Sequence, residues 1–390
     1  MFRPTPFDPF PLPTLGVRHR HSVGDAMSFI RNWKNHGFWS ALGAATILAA
    51  TSPALAGFVT QTNIISDGIV PAEVISPNFF NPWGMSYPPG GPFWISVNNF
   101  GTTVLVQNNG VFELTVNIPP PAGQTFLAAP TGQVFNPTNN FVISENGQSA
   151  PALFLFVTED GTISGWNPAL DVSNAILAVD NSQNGLGAVY KGLGIFTDAS
   201  GTFLLAANLR STFIEVYDTN FHLVRKFRDP RLPADWGPFN VQVLPNNQIY
   251  VTYAKQDPGG HDETNGLGNG SVERIDIFGT VLSHIPAPFV LNNPWGLALA
   301  PPSWGRYANS LLVGNFGDGH IHSFNPMNFT QIGTIHDASG AEFFSDGLWG
   351  LIPGDGGISG SPNTIFFTAG PNQEMDGLFG SLNYTLVDGQ

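Results

Sequence analysis

Short apolar runs that end on one fixed position recur along the chain: Trp94-Ile-Ser-Val-Asn98, Leu155-Phe-Val-Thr-Glu159, Leu204-Leu-Ala-Ala-Asn208, Ile249-Tyr-Val-Thr-Tyr253, Leu311-Leu-Val-Gly-Asn315 and Ile365-Phe-Phe-Thr-Ala369. Their end positions lie 61, 49, 45, 62 and 54 residues apart, a mean of about 54. Upstream of each run a glycine opens another apolar stretch: Gly84, Gly132, Gly192, Gly237, Gly296 and Gly350, four of them directly after tryptophan. Downstream comes a turn and a third run (Thr103–Gln107, Thr162–Trp166, Phe213–Tyr217, Ser271–Ile277, His320–Phe324 and Gly377–Leu382). Most units offer a fourth, such as Leu223–Phe227 or Gln331–Ile335. Three or four short strands per unit, repeated six times, are the pattern of a β-propeller. The reading is therefore all-β: a six-bladed β-propeller with four-stranded blades over residues 57–390. A sandwich does not require six matching units, and a β-helix repeats at a much shorter period. No long stretch has a 3.6-residue period, so helices should be few. Phe58-Val-Thr-Gln-Thr-Asn-Ile-Ile65 precedes the first unit. As outer strand of the sixth blade it would join the two ends of the chain and close the ring without an open edge.

The first 56 residues do not share this pattern. Residues 1–26 are Pro-rich and then basic, and read as a non-native or disordered extension. Met27 opens a second possible start, Met27-Ser-Phe-Ile-Arg31-Asn-Trp-Lys34, followed by an uncharged stretch from Gly37 that ends in Ala54-Leu55-Ala56. A basic start, an apolar core and a small-residue A-x-A end make a secretory signal peptide over residues 27–56, cut near Ala56. A membrane anchor is the rival. The core is short for a span, and Pro53 breaks a helix just before the end. The expected product is secreted or periplasmic, with no membrane span in the mature chain.

Composition sharpens this picture. Only 11% of the 390 residues are charged, 42% are hydrophobic and 32 are Phe, which opposes intrinsic disorder. The many Gly (45) and Pro (33) fit turns between short strands. No cysteine is present, which excludes disulfides, thiolate metal cages and a thiol nucleophile. The net charge of −14 disfavours nucleic acid as a partner. A monomer is expected.

Several longer strings are distinctive: Asn293-Pro-Trp-Gly-Leu-Ala-Leu-Ala, Leu312-Val-Gly-Asn-Phe-Gly-Asp-Gly, Thr158-Glu-Asp-Gly-Thr-Ile-Ser-Gly-Trp-Asn-Pro, Tyr253-Ala-Lys-Gln-Asp and Phe367-Thr-Ala-Gly-Pro-Asn. With them the chain resembles, over roughly residues 58–385, a family of exported bacterial β-propeller proteins. Some members of that family carry a C-terminal PEP-CTERM sorting tail; this sequence stops at Gln390 without one. The resemblance implies a propeller and export, and no activity. More distantly the repeat looks like NHL-type and gluconolactonase-like six-bladed propellers.

In an up-and-down blade the start of the first strand and the end of the second share one face of the ring. That face would gather Trp83, Trp236, Trp295 and Trp349 with the end-position column Asn98, Glu159, Asn208, Tyr253 and Asn315. One carboxylate and three carboxamides (Glu159, Asn98, Asn208, Asn315) are an oxygen-donor set suited to Ca²⁺. The same residue types also cap strand ends. Gluconolactonase-like propellers hold a divalent metal with a similar set, which implies a metal-dependent lactonase or ester hydrolase as one reading. The other reading is a non-catalytic module that binds a ligand, protein or glycan on this face.

The insertion Lys255–Gly270 leaves from the same face and carries His261-Asp262-Glu263, of which at most two should serve together. His320-Ile-His322 is a metal pair without a third ligand, or two surface histidines. The Trp-Gly pairs suit packing between blades, with glycine allowing close approach at the axis. Rings tipped into the channel mouth could instead stack on a sugar. No nucleophile elbow, P-loop, His-Glu-x-x-His, dinucleotide fingerprint or EF-hand loop occurs. No catalytic residue is assigned, and no organic cofactor is expected.

Overall fold

The computed structural model describes residues 57–183, 185–285 and 290–387. The extension and signal-peptide assignments fall outside these residues. Five blades are antiparallel four-stranded sheets in sequence order from the axis outward: Pro82–Ser86 to Phe112–Asn117, Pro130–Phe135 to Ile176–Asp180, Tyr190–Asp198 to Leu223–Phe227, Trp236–Val243 to Val281–His284, and Pro294–Leu299 to Gln331–Thr334. The sixth runs Leu348–Pro353, Thr364–Ala369 and Leu378–Leu386, and its fourth strand is Gly57–Ser66 from the other end of the chain. Gly57 pairs with Leu386 and Ser66 with Leu378. A short strand, Val74–Ile75, adds to this blade in parallel. The architecture is the six-bladed propeller that the repeat predicts, closed as expected. Among the described residues no helix is long and apolar enough to cross a membrane.

Alternating apolar positions make each blade sticky on both faces, and the core lies between blades. Leu205, Ile214 and Val251 pack between blades 3 and 4, and Trp94, Phe154 and Trp166 between blades 1 and 2. The two longest units owe their length to insertions. In blade 2 a hairpin pairs Val142–Glu145 with Gln148–Pro151 around Asn146-Gly147, both at positive φ as a tight turn requires. In blade 4 the insertion is the loop that carries His261.

Every inner strand bulges near its start. The register slips between Pro82 and Met85, Tyr190 and Gly192, Pro238 and Asn240, Pro294 and Gly296, and Leu348 and Leu351. Blade 2 breaks register at the matching place, opposite Phe156 and Thr158. A bulge re-aims the side chain it holds. The equivalent residues are Trp83, Thr131, Lys191, Phe239, Trp295 and Trp349. Glycine follows in five blades, and a Cβ there would strike the next blade: on Gly84 it would sit 2.6 Å from Thr131 O, and on Gly296 2.6 Å from Trp349 O. In blade 4 the equivalent residue is Asn240, whose amide donates to Trp295 O at 2.8 Å. The Trp236-Gly237 pair therefore lies outside this column, contrary to the match made from sequence, because the bulge falls three residues further on, at Phe239.

Candidate functional site

The shared face follows from backbone bonding. The residue at or just after each second-strand end donates its N–H to the start of its own first strand: Asn98 to Asn81, Glu159 to Ala129, Leu209 to Val189, Gln256 to Asp235, Phe316 to Asn293, and Gly370 to Gly347. This bonding brings the bulge residues and the end positions to the same mouth of the axial channel.

Aromatic rings block the channel there. Trp83 and Trp349 stack with centroids 3.4 Å apart, Phe316 stacks on Trp349 at 4.0 Å, and Trp295 meets both tryptophans edge-on at 6.1 and 5.9 Å. Phe239, Leu209 and Ala254 complete the plug. Trp349 Nε1 donates to Asn81 Oδ1 at 2.9 Å, and Trp295 Nε1 to the Lys191 carbonyl at 3.1 Å.

One charged side chain shares this column. Lys191 is only 1% exposed, and its Nζ sits 5.1 Å from the centroid of the Trp83 ring. It donates to Glu159 and, at 3.2 Å, to Asp262 Oδ1. Burial works against its charge, but Glu159, Glu263 and Asp262 outweigh that and raise its pKa. The other Glu159 oxygen accepts from Asn98 Nδ2 at 3.0 Å.

Acids crowd around this ammonium. His261 Nδ1 lies 2.9 Å from Asp262 Oδ1. That bond raises the imidazole pKa and holds the Asp262 carboxyl well below its ordinary value. Burial pushes Glu263 up to about 7, against the pull of Lys191, and Glu374 adds to the rise. Glu374 is also raised, first by burial and further by Glu159. Its carboxylate accepts from Asn81 Nδ2 at 2.8 Å, and its carbonyl from Asn99 Nδ2 at 2.7 Å. Four carboxylates thus surround one ammonium and one imidazole. A carboxyl that titrates near neutrality can give and take a proton at this mouth.

No protein-family model matches the chain. It is 31% identical over 329 residues to uncharacterized protein R648 of Acanthamoeba polyphaga mimivirus, covering 82% of this chain and 78% of that one. It is also 31% identical over 332 residues to uncharacterized protein L690 of the same virus, covering 82% and 84%. The chain belongs to the family of these viral proteins. Among solved structures, a protein of unknown function from Bacteroides thetaiotaomicron superposes with a TM-score of 0.52 at 10% identity, covering 85% of this chain and 77% of that one. That likeness is one of fold.

The residues singled out from sequence separate into groups. Asn98 and Glu159 meet, as do His261 and Asp262, and both pairs reach Lys191 or its partners. Among the described residues one trio, Glu159, His261 and Asp262, has donor atoms within 4.8 Å of one another. Asn208 and Asn315 have other partners. Asn208 Nδ2 donates to Glu215 Oε1 at 3.0 Å, in a network with Tyr190 and Tyr217. Asn315 Nδ2 donates to Val290 O at 2.8 Å. Tyr253 packs between blades 3 and 4, and Trp236 lies half-buried against the same cluster. Trp83, Trp295 and Trp349 are buried in the plug, against one another. His322 is buried, its Nδ1 3.1 Å from Thr334 Oγ1, while His320 bonds the Phe343 carbonyl.

Sequence reasoning missed Lys191 and Glu374. Lys191 carried a visible signal, a lone lysine before the glycine where other units have tryptophan. Glu374 carried none, because a left-handed turn delivers it.

Proposed function

We propose that this protein is a binding module that takes a small cation on the charged mouth of its axial channel. The observation that carries this reading is the charge count there: among the described residues, the carboxylates Glu159, Asp262, Glu263 and Glu374 face the cations Lys191 and His261. Low-dielectric walls concentrate the field of such a surplus and draw cations to it. Organic amines and divalent metal ions both meet this requirement. Export after cleavage near Ala56 belongs to the same reading, since the cut would leave the closing strand, which begins at Gly57, intact.

A second reading, a metal-dependent lactonase or ester hydrolase, is favoured by the trio Glu159, His261 and Asp262. One imidazole nitrogen and two carboxylate oxygens suit a borderline divalent ion better than Ca²⁺, which prefers a shell of six to eight oxygens. Such an ion would polarise an ester carbonyl, with Glu263 placed to exchange a proton. Lys191 already supplies positive charge to Glu159, so a metal would share that carboxylate with it.

The test is a thermal melt of the whole chain at low salt with Ca²⁺, Mn²⁺, Zn²⁺ or spermidine. Binding to the native state raises the Tm. The expected result is a rise with at least one of these that Asp262→Asn removes. No rise with any of them, or a rise that Asp262→Asn leaves intact, overturns the proposal. A metal-specific rise together with turnover of a lactone selects the hydrolase reading.

A further inference from the structure

The acids of the charged mouth continue into the face around it. The loops that lead from one blade to the next and the turns between second and third strands all lie on this face. Together they carry 15 Asp and Glu against three Arg. The loops of the opposite face, with the hairpin of blade 2, carry five Asp and Glu and one Arg. The acid surplus thus belongs to the whole face and extends beyond the few carboxylates that one small ion can touch.

Four large apolar side chains stand out of the same loops. Leu127, Leu186, Leu267 and Met375 are each 65% or more exposed. Leu127 stands over Gly101, where an added Cβ would come within 3.2 Å of the leucine Cβ. In the same turn Asn99 Nδ2 donates to Glu374 O at 2.7 Å, and Met375 follows Glu374. On another side the Leu186 carbonyl accepts from Arg210 Nη1 at 2.7 Å, and the Arg210 stem lies against Gly260, next to His261. Leu267 sits beyond Glu263 in the blade 4 insertion. One exposed leucine needs no explanation. Four apolar side chains from loops of different blades, spaced around one acidic mouth, make a face that is negative at its centre and apolar at its rim.

We propose that this face docks a partner protein, which presents a basic side chain to the mouth from between apolar neighbours. The proposal rests on the cation-binding reading above and names what carries the cation. Opposite charge steers the two surfaces together, and the rim then buries apolar area on the partner. A metal ion or a small amine would leave that rim in water. Lys191 shows within the protein what the mouth accepts: an ammonium between Glu159 and Asp262, over the Trp83 ring. Among the described residues no cationic group hydrogen-bonds Glu263 or Glu374, and both are half-buried with their surface still open to solvent. These two carboxylates, with the exposed Asp262, receive the incoming charge.

The test titrates the whole chain at low salt with three short peptides: Ac-Leu-Lys-Leu-NH2, Ac-Gly-Lys-Gly-NH2 and Ac-Leu-Gln-Leu-NH2. The first should bind about tenfold tighter than either of the others, a factor that partial burial of one leucine supplies. Leu267→Ser and Met375→Ser, both at exposed positions, should shrink its lead over the glycine peptide, and Asp262→Asn its lead over the glutamine peptide. Equal binding of the two lysine peptides, or binding of neither, overturns the docking proposal. A Tm rise with spermidine or a metal then shows that the cation reading stands without it, and no rise shows that both fail. Equal binding of the lysine and glutamine peptides overturns the proposal too, since the mouth then does not select charge. Sedimentation of the chain alone tests the remaining occupant. The outer strand of blade 3 offers Leu223-Val-Arg-Lys-Phe227, and self-association that Asp262→Asn abolishes would put a second copy in the partner's place and overturn the proposal.

Discussion

Lys191, from the inner strand of blade 3, and Glu159, from the end of the second strand of blade 2, form an ion pair over the face of Trp83. Their side chains are only 1% and 11% exposed. Asp262, the second carboxylate on the ammonium, is 61% exposed and stays hydrated. Removing one partner of a buried pair leaves the other charge uncompensated. Lys191→Met should therefore cost about 3 kcal/mol, the lower end for such pairs because Glu159 keeps slight contact with water. Converting both residues, Lys191→Met with Glu159→Gln, should return most of that stability. A double-mutant cycle by chemical denaturation measures the coupling. If the single and double variants lose the same amount, the pair is not the unit that holds blades 2 and 3 together at this mouth.

A second buried acid pair lies between blades 3 and 4, away from the mouth. Glu273, 1% exposed, is near Asp229 and Tyr253, and Arg231 forks onto Asp229 with Nε at 2.9 Å from both oxygens. Burial, and then Asp229, pushes Glu273 up to about 8. A carboxyl raised on folding binds its proton more tightly in the native state. Its contribution to stability is fully present below its ordinary value of about 4.5 and is lost as pH rises to about 8. The partner Asp229 is shifted downward, so its contribution is fully present above its ordinary value of about 3.8 and is lost only as pH falls below that, outside this range. The unfolding free energy should thus fall between pH 5 and 8, and Glu273→Gln, which cannot ionise, should flatten that slope. Denaturation curves across this range check it; an unchanged slope in the variant would assign the pH dependence to other groups.

The strands and the ring were legible because each blade repeats one pattern of apolar runs, and burial on both blade faces leaves few alternatives for such runs. The closing strand 58–65 was legible for the same reason: an apolar run with no unit of its own. The axis was harder to read. Trp236-Gly237 resembles Trp83-Gly84 letter for letter, yet the bulge in blade 4 falls at Phe239, and only the register decides which residue turns inward. The end-position column offered Asn98 and Glu159 as metal ligands; in the structure they bond each other across two blades. It could not reveal that Asn208 serves the Tyr190–Glu215 network within blade 3, because a local partner on the same sheet leaves no mark in the spacing.

Glu374 reaches the charged mouth through backbone that L-residues rarely adopt. Asn372, Gln373 and Glu374 all have positive φ, at 56°, 57° and 65°. Each non-glycine residue in this region costs roughly 1–2 kcal/mol, somewhat less for Asn. The turn is held by bonds at both ends: Asp346 accepts from Asn372 N at 2.8 Å, and Asn81 and Asn99 bond Glu374. Gln373 is exposed and its side chain has no role in this hold. Gln373→Gly should therefore relieve strain and, after the larger entropy loss of glycine, raise stability by about 0.5 kcal/mol. Gln373→Pro has the opposite consequence, since its ring fixes φ near −65° and cannot fit the turn. That variant should lose stability and, with Glu374 withdrawn from the mouth, weaken cation binding. Denaturation and cation titration of the two variants together check the argument. If proline is tolerated as well as glycine, the left-handed turn is not what positions Glu374.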